Sequence, residues 1–226
     1  MANRVIDPNI KYALERLSKL DFDYLIIGGL LCNALLKDHS RTTNDIDIIC
    51  DTDIDKIEAL LRKEFDVVRF DYFKINDIDY EEQFAAIINI NNKNILIDGR
   101  RVDYFNQIER KIYKIEDVSF SGATLEFQIA DKIDSLLQVD TPECKHLIDL
   151  YSFSKLDKSL ISVDEIKRYY DLILQRRKIV KSNVKTIDIN KEFKGSFIIS
   201  SLNAGYNYSK EYIINIVNEW LKTLNL

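Results

Sequence analysis

The sequence contains the segment Tyr24-Leu25-Ile26-Ile27-Gly28-Gly29 and, after a short interval, the segment Arg41-Thr42-Thr43-Asn44-Asp45-Ile46-Asp47. The apolar run at 24–27 predicts a strand, and the two glycines predict a sharp turn from that strand into a helix over 30–37. Residues 45–50 alternate acidic with apolar side chains and then become apolar, which predicts a second strand. We therefore expect strand, glycine turn, helix and strand in that order, with two carboxylates early in the second strand.

Asp45 and Asp47 should lie on one face of the second strand, because successive side chains of a strand point to opposite faces. Two neighbouring carboxylates repel each other, and a divalent cation between them offsets that cost. Mg²⁺ prefers a few carboxylates together with water and substrate phosphates, and Mn²⁺ accepts similar ligands. The pair therefore predicts a site for Mg²⁺ or Mn²⁺.

The residues that precede the acidic pair predict a binding site for a nucleoside triphosphate. The bare backbone at Gly28 and Gly29 allows phosphates to approach closely, and a helix N-terminus supplies free N–H groups and a partial positive charge. Arg41 and Thr43 stand at alternating positions before Asp45, where they can contact the phosphates or the carboxylates. A phosphate site beside a metal site predicts phosphoryl-transfer chemistry on an NTP.

A third carboxylate is expected from a neighbouring strand, since two-metal phosphoryl transfer holds both the attacking and the leaving oxygen. The candidates are Asp98 and Asp103. The dipeptide Asp98-Gly99 is typical of a two-residue hairpin turn, which would explain Asp98 without a role in catalysis. Asp103 stands between apolar residues in a segment typical of a strand, and for this reason we prefer Asp103 as the third metal ligand and the catalytic base.

The pattern of elements predicts an α/β fold in two parts. Over 1–125, helices and strands are mixed, with further helices at 8–20 and 53–63 and further strands at 67–73, 84–90, 94–97 and 100–105. Over 126–226 the pattern is helical, with helices at 126–138, 142–155, 163–181 and 209–224. We expect a small mixed sheet with flanking helices, followed by a C-terminal helical bundle, with the active site in the cleft between them.

Composition narrows the possible environments and partners. The net charge of the 226 residues is −5, which provides no overall basic field for long nucleic acid. Residues 1–125 contain 17 basic and 23 acidic residues, whereas residues 126–226 contain 15 and 14. No apolar run approaches the roughly 20 residues that span a bilayer, and the N-terminus has no signal-peptide pattern. We therefore expect a cytoplasmic protein that is not inserted in a membrane.

Gly28-Gly29 followed by Arg41-x-Thr43-x-Asp45-x-Asp47 resembles the first motif of the minimal nucleotidyltransferases of the DNA polymerase beta superfamily. The later segments Ala130-Asp131-Lys132-Ile133 and Lys145-His146-Leu147-Ile148-Asp149-Leu150 are similar to the helical motifs of the AbiEii/AbiGii group. That group comprises nucleotidyltransferase toxins of bacterial abortive-infection and toxin–antitoxin systems. The resemblance covers residues 20–155, and His146 stands where the group usually has an aspartate.

The resemblance implies a nucleotidyltransferase that moves an NMP from an NTP to a hydroxyl acceptor. By position, Lys132 would bind the triphosphate and act in catalysis, while Asp149 would orient Lys132 or serve as a helper base. The implied acceptor is a tRNA 3′ end or a protein, and the implied partner is a cognate antitoxin. Two alternatives stay open: a small-molecule nucleotidyltransferase of the aminoglycoside-modifying kind, and an inactive antitoxin or interaction module of the same fold.

Overall fold

The computed structural model describes residues 6–36, 43–74, 81–176, 186–188, 190–197 and 205–225. These residues divide into two compact units. The first unit consists of the described residues up to Leu35 and from 43 to Thr124. The second consists of Leu36 and the described residues from Leu125 onward.

The first unit is built on one mixed sheet. Its strands are β1 (Tyr24–Ile27), β2 (Asp45–Cys50), β3 (Asp66–Lys74), β4 (Glu81–Ile90), β5 (Lys93–Val102), β6 (Arg110–Ile115) and β7 (Val118–Ala123). They form a seven-stranded sheet in the order β3-β4-β5-β2-β1-β7-β6. β2 is the central strand, antiparallel to β1 and parallel to β5. The predicted α/β class is confirmed, and the acidic strand lies in the middle of the sheet.

Three helices accompany this sheet: α1 (Pro8–Leu17), α2 (Gly28–Leu35) and α3 (Ile54–Glu64). The side chain of Asp7 accepts a hydrogen bond from the N–H of Asn9 and so caps α1, and Asp53 caps α3 in the same way through Asp55. α1 buries Ile10, Leu14 and Leu17, which recur at helical spacing. Burying a side chain of this size contributes about 1.5–3 kcal/mol. The three helices confirm the predicted ones, with α1 ending three residues earlier than expected.

The connection between β4 and β5 is a tight hairpin turn in the asparagine-rich segment Asn91-Asn92-Lys93-Asn94. Asn91 and Asn92 both adopt the left-handed conformation, with φ of 52° and 62°, as a tight two-residue turn requires. This turn brings β4 and β5 into antiparallel register from Ile90–Lys93 outward. The hairpin β6–β7 was not predicted; β7 joins the sheet in parallel to β1.

The predicted turn at Asp98-Gly99 was wrong. β5 runs without interruption from Lys93 to Val102, and the two separate strands expected at 94–97 and 100–105 are this one strand. Gly99 pairs with Phe84 of β4, and a Cβ atom on Gly99 would lie 2.1 Å from Phe84 Cε1. The missing side chain of Gly99 therefore makes room for the Phe84 ring.

The second unit is helical in its regular elements. It contains α4 (Leu125–Leu137), α5 (Cys144–Phe153), α6 (Val163–Arg176) and α7 (Lys210–Leu224). α4 packs against α5 and α6, and α5 also packs against α7. The predicted helical character is confirmed, although the final residues of the helix expected at 163–181 lie outside the described residues. Within the described ranges, every helix is too short or too polar to cross a membrane.

Candidate functional site

Asp47 lies where the glycine turn meets the central strand. It pairs with Ile27, the last residue of β1, so that Gly28 and Gly29 follow directly beside its carboxylate. The N–H of Gly29 donates a hydrogen bond to Asp47 Oδ2 at 3.3 Å. Gly28 has φ +68°, and a Cβ atom there would lie 1.8 Å from the same oxygen. Only glycine allows this backbone to turn against a carboxylate.

Asp45 and Asp47 occupy the same face of β2. Both are half-buried, whereas Ile46 and Ile48 on the opposite face are fully buried. The alternation that the sequence predicted is therefore present. The face that holds the carboxylates remains open to solvent at the start of β2.

Asp98 extends this face to the neighbouring strand. β2 and β5 are parallel, and their register pairs Asp47 with Asp98. Paired residues of adjacent strands lie about 4.8 Å apart and direct their side chains to the same face. Asp98 is exposed. Asp45, Asp47 and Asp98 therefore form one acidic group on two adjacent strands.

Asp103 does not join this group. It lies in the turn beyond Val102, the last residue of β5, and is exposed. Four residues of strand, about 13 Å at the usual rise, separate Asp98 from Val102 alone. The argument that set Asp98 aside depended on a turn that does not form. The register thus favours Asp98, the alternative candidate, as the neighbour of Asp47.

The acidic group offers oxygen donors of the kind that a divalent cation binds. Carboxylate oxygens are the hard donors that Mg²⁺ and Mn²⁺ prefer. Within the part of the chain that the structure describes, no group of three or more His, Cys, Asp or Glu side chains is arranged so that it could hold a metal ion by itself. Mg²⁺ commonly takes only one or two protein carboxylates and completes its shell with water and substrate phosphates. The group suits a cation that binds together with a nucleotide.

The other residues before Asp45 that were predicted to contact phosphates are Gly29, Arg41 and Thr43. The N–H of Gly29 is donated to Asp47, so this glycine supports the carboxylate directly. Thr43 is buried, and its hydroxyl oxygen makes no hydrogen bond within the described ranges of the chain. Arg41 lies outside the described residues. The roles of Arg41 and Thr43 stay predictions.

Lys132 and Asp149 come together inside the second unit. Lys132 on α4 is 3% exposed, and Asp149 on α5 is fully buried. Lys132 Nζ lies 3.4 Å from Asp149 Oδ2. This contact is the one expected if Asp149 orients Lys132, the first of the two roles considered for Asp149, and both roles stay predictions.

His146 also contacts Lys132, which the sequence did not reveal. Its Nδ1 lies 3.3 Å from Lys132 Nζ. Desolvation of the ring lowers the pKa of His146 to about 3, and the positive charge of Lys132 acts in the same direction. The sequence spacing could have suggested that His146 lies near Asp149, because residues three apart on α5 share one face of that helix. It does not by itself identify Lys132 as the contact.

α4 carries further polar side chains that the sequence reasoning did not single out. Gln128, Asp131 and Asp134 are all buried. Buried ionisable groups are costly and cluster at functional sites, although structural networks contain them as well. α4 therefore carries buried polar side chains besides Lys132, among its buried apolar residues.

Sequence comparison assigns the family. The family model of aminoglycoside-2″-adenylyltransferase matches residues 9–130, which is more than half of the chain and includes Gly28, Gly29, Asp45, Asp47 and Asp98. Among curated proteins, none matches the chain at a significant level. The family name describes a nucleotidyltransferase, because the transfer of an adenylyl group is the transfer of a nucleotidyl group.

Solved structures agree at the level of the fold. A candidate nucleotidyltransferase from Helicobacter pylori superposes with a TM-score of 0.53 at 12% identity, covering 96% of this chain and 91% of that chain. JHP933 from Helicobacter pylori gives 0.50 at 13% identity, covering 98% and 94%. The narrower resemblance to the AbiEii/AbiGii group stays a hypothesis. By its sequence match and its fold, the chain belongs to the aminoglycoside-2″-adenylyltransferase family of nucleotidyltransferases.

Proposed function

We propose that the protein is a nucleotidyltransferase that uses Mg²⁺ or Mn²⁺ to move an NMP from an NTP to a hydroxyl acceptor. The observation that carries the proposal is the register of β2 and β5, which sets Asp98 beside Asp47 on the face that also holds Asp45. Three carboxylates on one open face repel one another unless cations offset their charge. The family match supports the same chemistry.

Each residue of the acidic group has a distinct part in this proposal. Asp45, Asp47 and Asp98 would hold the metal, which supplies Lewis-acid stabilisation of the triphosphate oxygens. Asp98, the exposed member, would accept the proton of the acceptor hydroxyl. The acceptor oxygen then forms a bond to the α-phosphorus, and the bond to pyrophosphate breaks. Gly29 would keep Asp47 in place through its N–H.

Lys132 is the proposed cationic contact for the triphosphate. A fixed positive charge stabilises negative charge that moves to the leaving pyrophosphate. The contact with Asp149 supports this role because it restricts the rotamers of a long side chain. Pre-positioned charge of this kind lowers the entropy cost of reaching the reacting geometry.

For the acceptor, the family match favours a small-molecule hydroxyl of the aminoglycoside class. Aminoglycosides are polycations, and the acidic excess of residues 1–125, with 23 acidic against 17 basic residues, supports binding of such a substrate. We therefore state the aminoglycoside-type acceptor as the first candidate.

A second candidate is the toxin function. It rests on the similarity of the segments around Lys132 and Asp149 to the AbiEii/AbiGii motifs, together with the contact between these two residues. In this case the acceptor would be a tRNA 3′ end or a protein, and a cognate antitoxin would neutralise the activity. An inactive antitoxin or interaction module is less well supported, because it has no need of three carboxylates on one face.

The experiment incubates the full chain with each α-labelled NTP, MgCl₂ and one of three acceptor pools: aminoglycosides, total RNA or total cell protein. Asp47→Asn is the matched control, because asparagine can still accept the N–H of Gly29 but removes the charge. Label on an aminoglycoside supports the first candidate, and label on RNA or protein supports the second. If no pool is labelled and no NTP binds, the chain is an inactive module and the proposal fails.

A further inference from the structure

The Lys132 ammonium group lies between two different partners on α5. Asp149 Oδ2 is 3.4 Å from Lys132 Nζ, and His146 Nδ1 is 3.3 Å from the same atom. Asp149 is fully buried, whereas His146 is partly exposed. On α5, the lysine thus has a charged acceptor in Asp149 and an uncharged acceptor in neutral His146.

The contact between Lys132 and His146 indicates the tautomer and the charge of the imidazole. An ammonium group has donors only, so His146 Nδ1 can face it only as an acceptor, with the proton on Nε2. An imidazolium would place a second positive charge 3.3 Å from Lys132 Nζ. The charged groups that act on the ring are Lys132, Asp149, Lys145 and Asp131. Desolvation of the ring and the nearby Lys132 both lower the pKa of His146, which agrees with the neutral form.

We propose that His146 is a positioning residue for Lys132: it holds the ammonium group against Asp149 through an uncharged acceptor. The uncharged acceptor matters because a second carboxylate at this place would cancel more of the positive potential of Lys132. An imidazole restrains the side chain and leaves that potential available. The consequence for nucleotide binding rests on the proposed function, in which Lys132 contacts the triphosphate.

The first test is the tautomer of His146 in the full chain. Long-range ¹H–¹⁵N correlation spectra of ¹⁵N-histidine-labelled protein distinguish the Nε2–H form, the Nδ1–H form and the imidazolium. The chain has two histidines, and the spectrum of His146→Asn identifies which signals belong to His146. The proposal predicts the Nε2–H form from pH 5 to 8. An Nδ1–H form or an imidazolium at pH 6–7 would overturn it.

The second test compares three variants in NTP-dependent transfer. His146→Asn keeps an uncharged acceptor near the position of Nδ1, His146→Leu removes the acceptor at similar volume, and His146→Asp adds a charge to nearly the shape of asparagine. We expect KM for the NTP to stay within about twofold for asparagine and to rise about tenfold for leucine and aspartate. Equal KM values for asparagine and aspartate would overturn the role of the uncharged acceptor.

The two tests separate the inference from the proposed function. If His146 has the Nε2–H form but the unaltered chain transfers no nucleotide, positioning of Lys132 stands and the proposed function fails. If the chain transfers nucleotide but His146 is charged or bears its proton on Nδ1, the proposed function stands and the inference fails.

Discussion

Gly28 and Asp47 are in such close contact that any side chain at position 28 would collide with the carboxylate. A Cβ atom on Gly28 would lie 1.8 Å from Asp47 Oδ2 and 2.5 Å from Asp47 Cγ. Residue 28 also has φ +68°, which side chains rarely tolerate. The glycine turn and the acidic strand are therefore one structural unit, in which the turn sets the position of the carboxylate.

The first prediction concerns Gly28→Ala. The new methyl group must push the Asp47 carboxylate away, so we expect loss of transfer activity and a stability loss above the roughly 1–2 kcal/mol that a left-handed alanine costs. Gly205→Ala is the matched control, because Gly205 has φ +77° and, among the described residues other than its chain neighbours, no atom lies within 4 Å of its Cβ position. Stability is measured by urea unfolding and activity by the transfer assay. Equal losses in the two variants would show that backbone strain alone causes them and that the collision with Asp47 adds nothing.

The second prediction concerns Gly99 and Phe84. Gly99→Ala would place Cβ 2.1 Å from Phe84 Cε1, and overpacking of this kind costs about 1–3 kcal/mol. Phe84→Leu should relieve part of that cost by removing the ring. A double-mutant cycle in urea unfolding is therefore expected to give a coupling above about 0.5 kcal/mol. Strict additivity would mean that Gly99 does not serve to accommodate the ring.

Gly99 also illustrates the difference between features that the sequence could predict, which depend on one strand, and features that depend on a neighbouring strand. The bounds of β1 and β2, and the shared face of Asp45 and Asp47, followed from short-range patterns that act within one strand. Asp98 was passed over because Asp-Gly favours a turn locally. The ring that explains Gly99 comes from β4, and no pattern within β5 reports it.

In the second unit, too, contacts between elements could not be predicted from local sequence patterns. The contact between Lys132 and Asp149 was expected only from family resemblance, because the pairing of two helices is a tertiary property. His146 gave a weak signal through its three-residue spacing from Asp149. Its contact with Lys132 depends on how α4 packs against α5, which composition and periodicity do not determine.

The third prediction concerns the buried pair of Lys132 and Asp149. Asp149→Leu leaves a buried ammonium group without its carboxylate, and removal of one partner of a buried pair costs about 3–5 kcal/mol. The double variant Lys132→Met/Asp149→Leu removes both charges and should regain most of that stability, measured by thermal unfolding, while losing transfer activity. If the double variant is as unstable as the single one, burial of unpaired charge is not the cause.

The fourth prediction concerns pH and stability. The pKa of His146 is about 3 in the folded chain and about 6.5 in an unfolded chain, so between these values only the unfolded state binds the proton. The free energy of unfolding should therefore decrease as the pH falls below 6.5. From pH 7.5 to 5.5 the decrease is about 1.4 kcal/mol, an upper bound because the ring is partly exposed.

His146→Asn is the control for this prediction, since asparagine does not titrate. The free energy of unfolding of the unaltered chain minus that of this variant should decrease as the pH falls from 7.5 to 5.5, because only the unaltered chain has a histidine at position 146. A difference that is constant over this range would mean that His146 titrates normally in the folded chain.

The most direct test of the acidic group does not require the acceptor to be known. Binding of Mn²⁺ in the presence of a non-reacting NTP analogue can be followed by electron paramagnetic resonance in the unaltered chain, Asp98→Asn and Asp103→Asn. We predict that Asp98→Asn weakens nucleotide-dependent Mn²⁺ binding at least about tenfold, as loss of a ligand requires, and that Asp103→Asn leaves it unchanged. Unchanged binding in Asp98→Asn, or a loss confined to Asp103→Asn, would contradict the site formed by Asp45, Asp47 and Asp98.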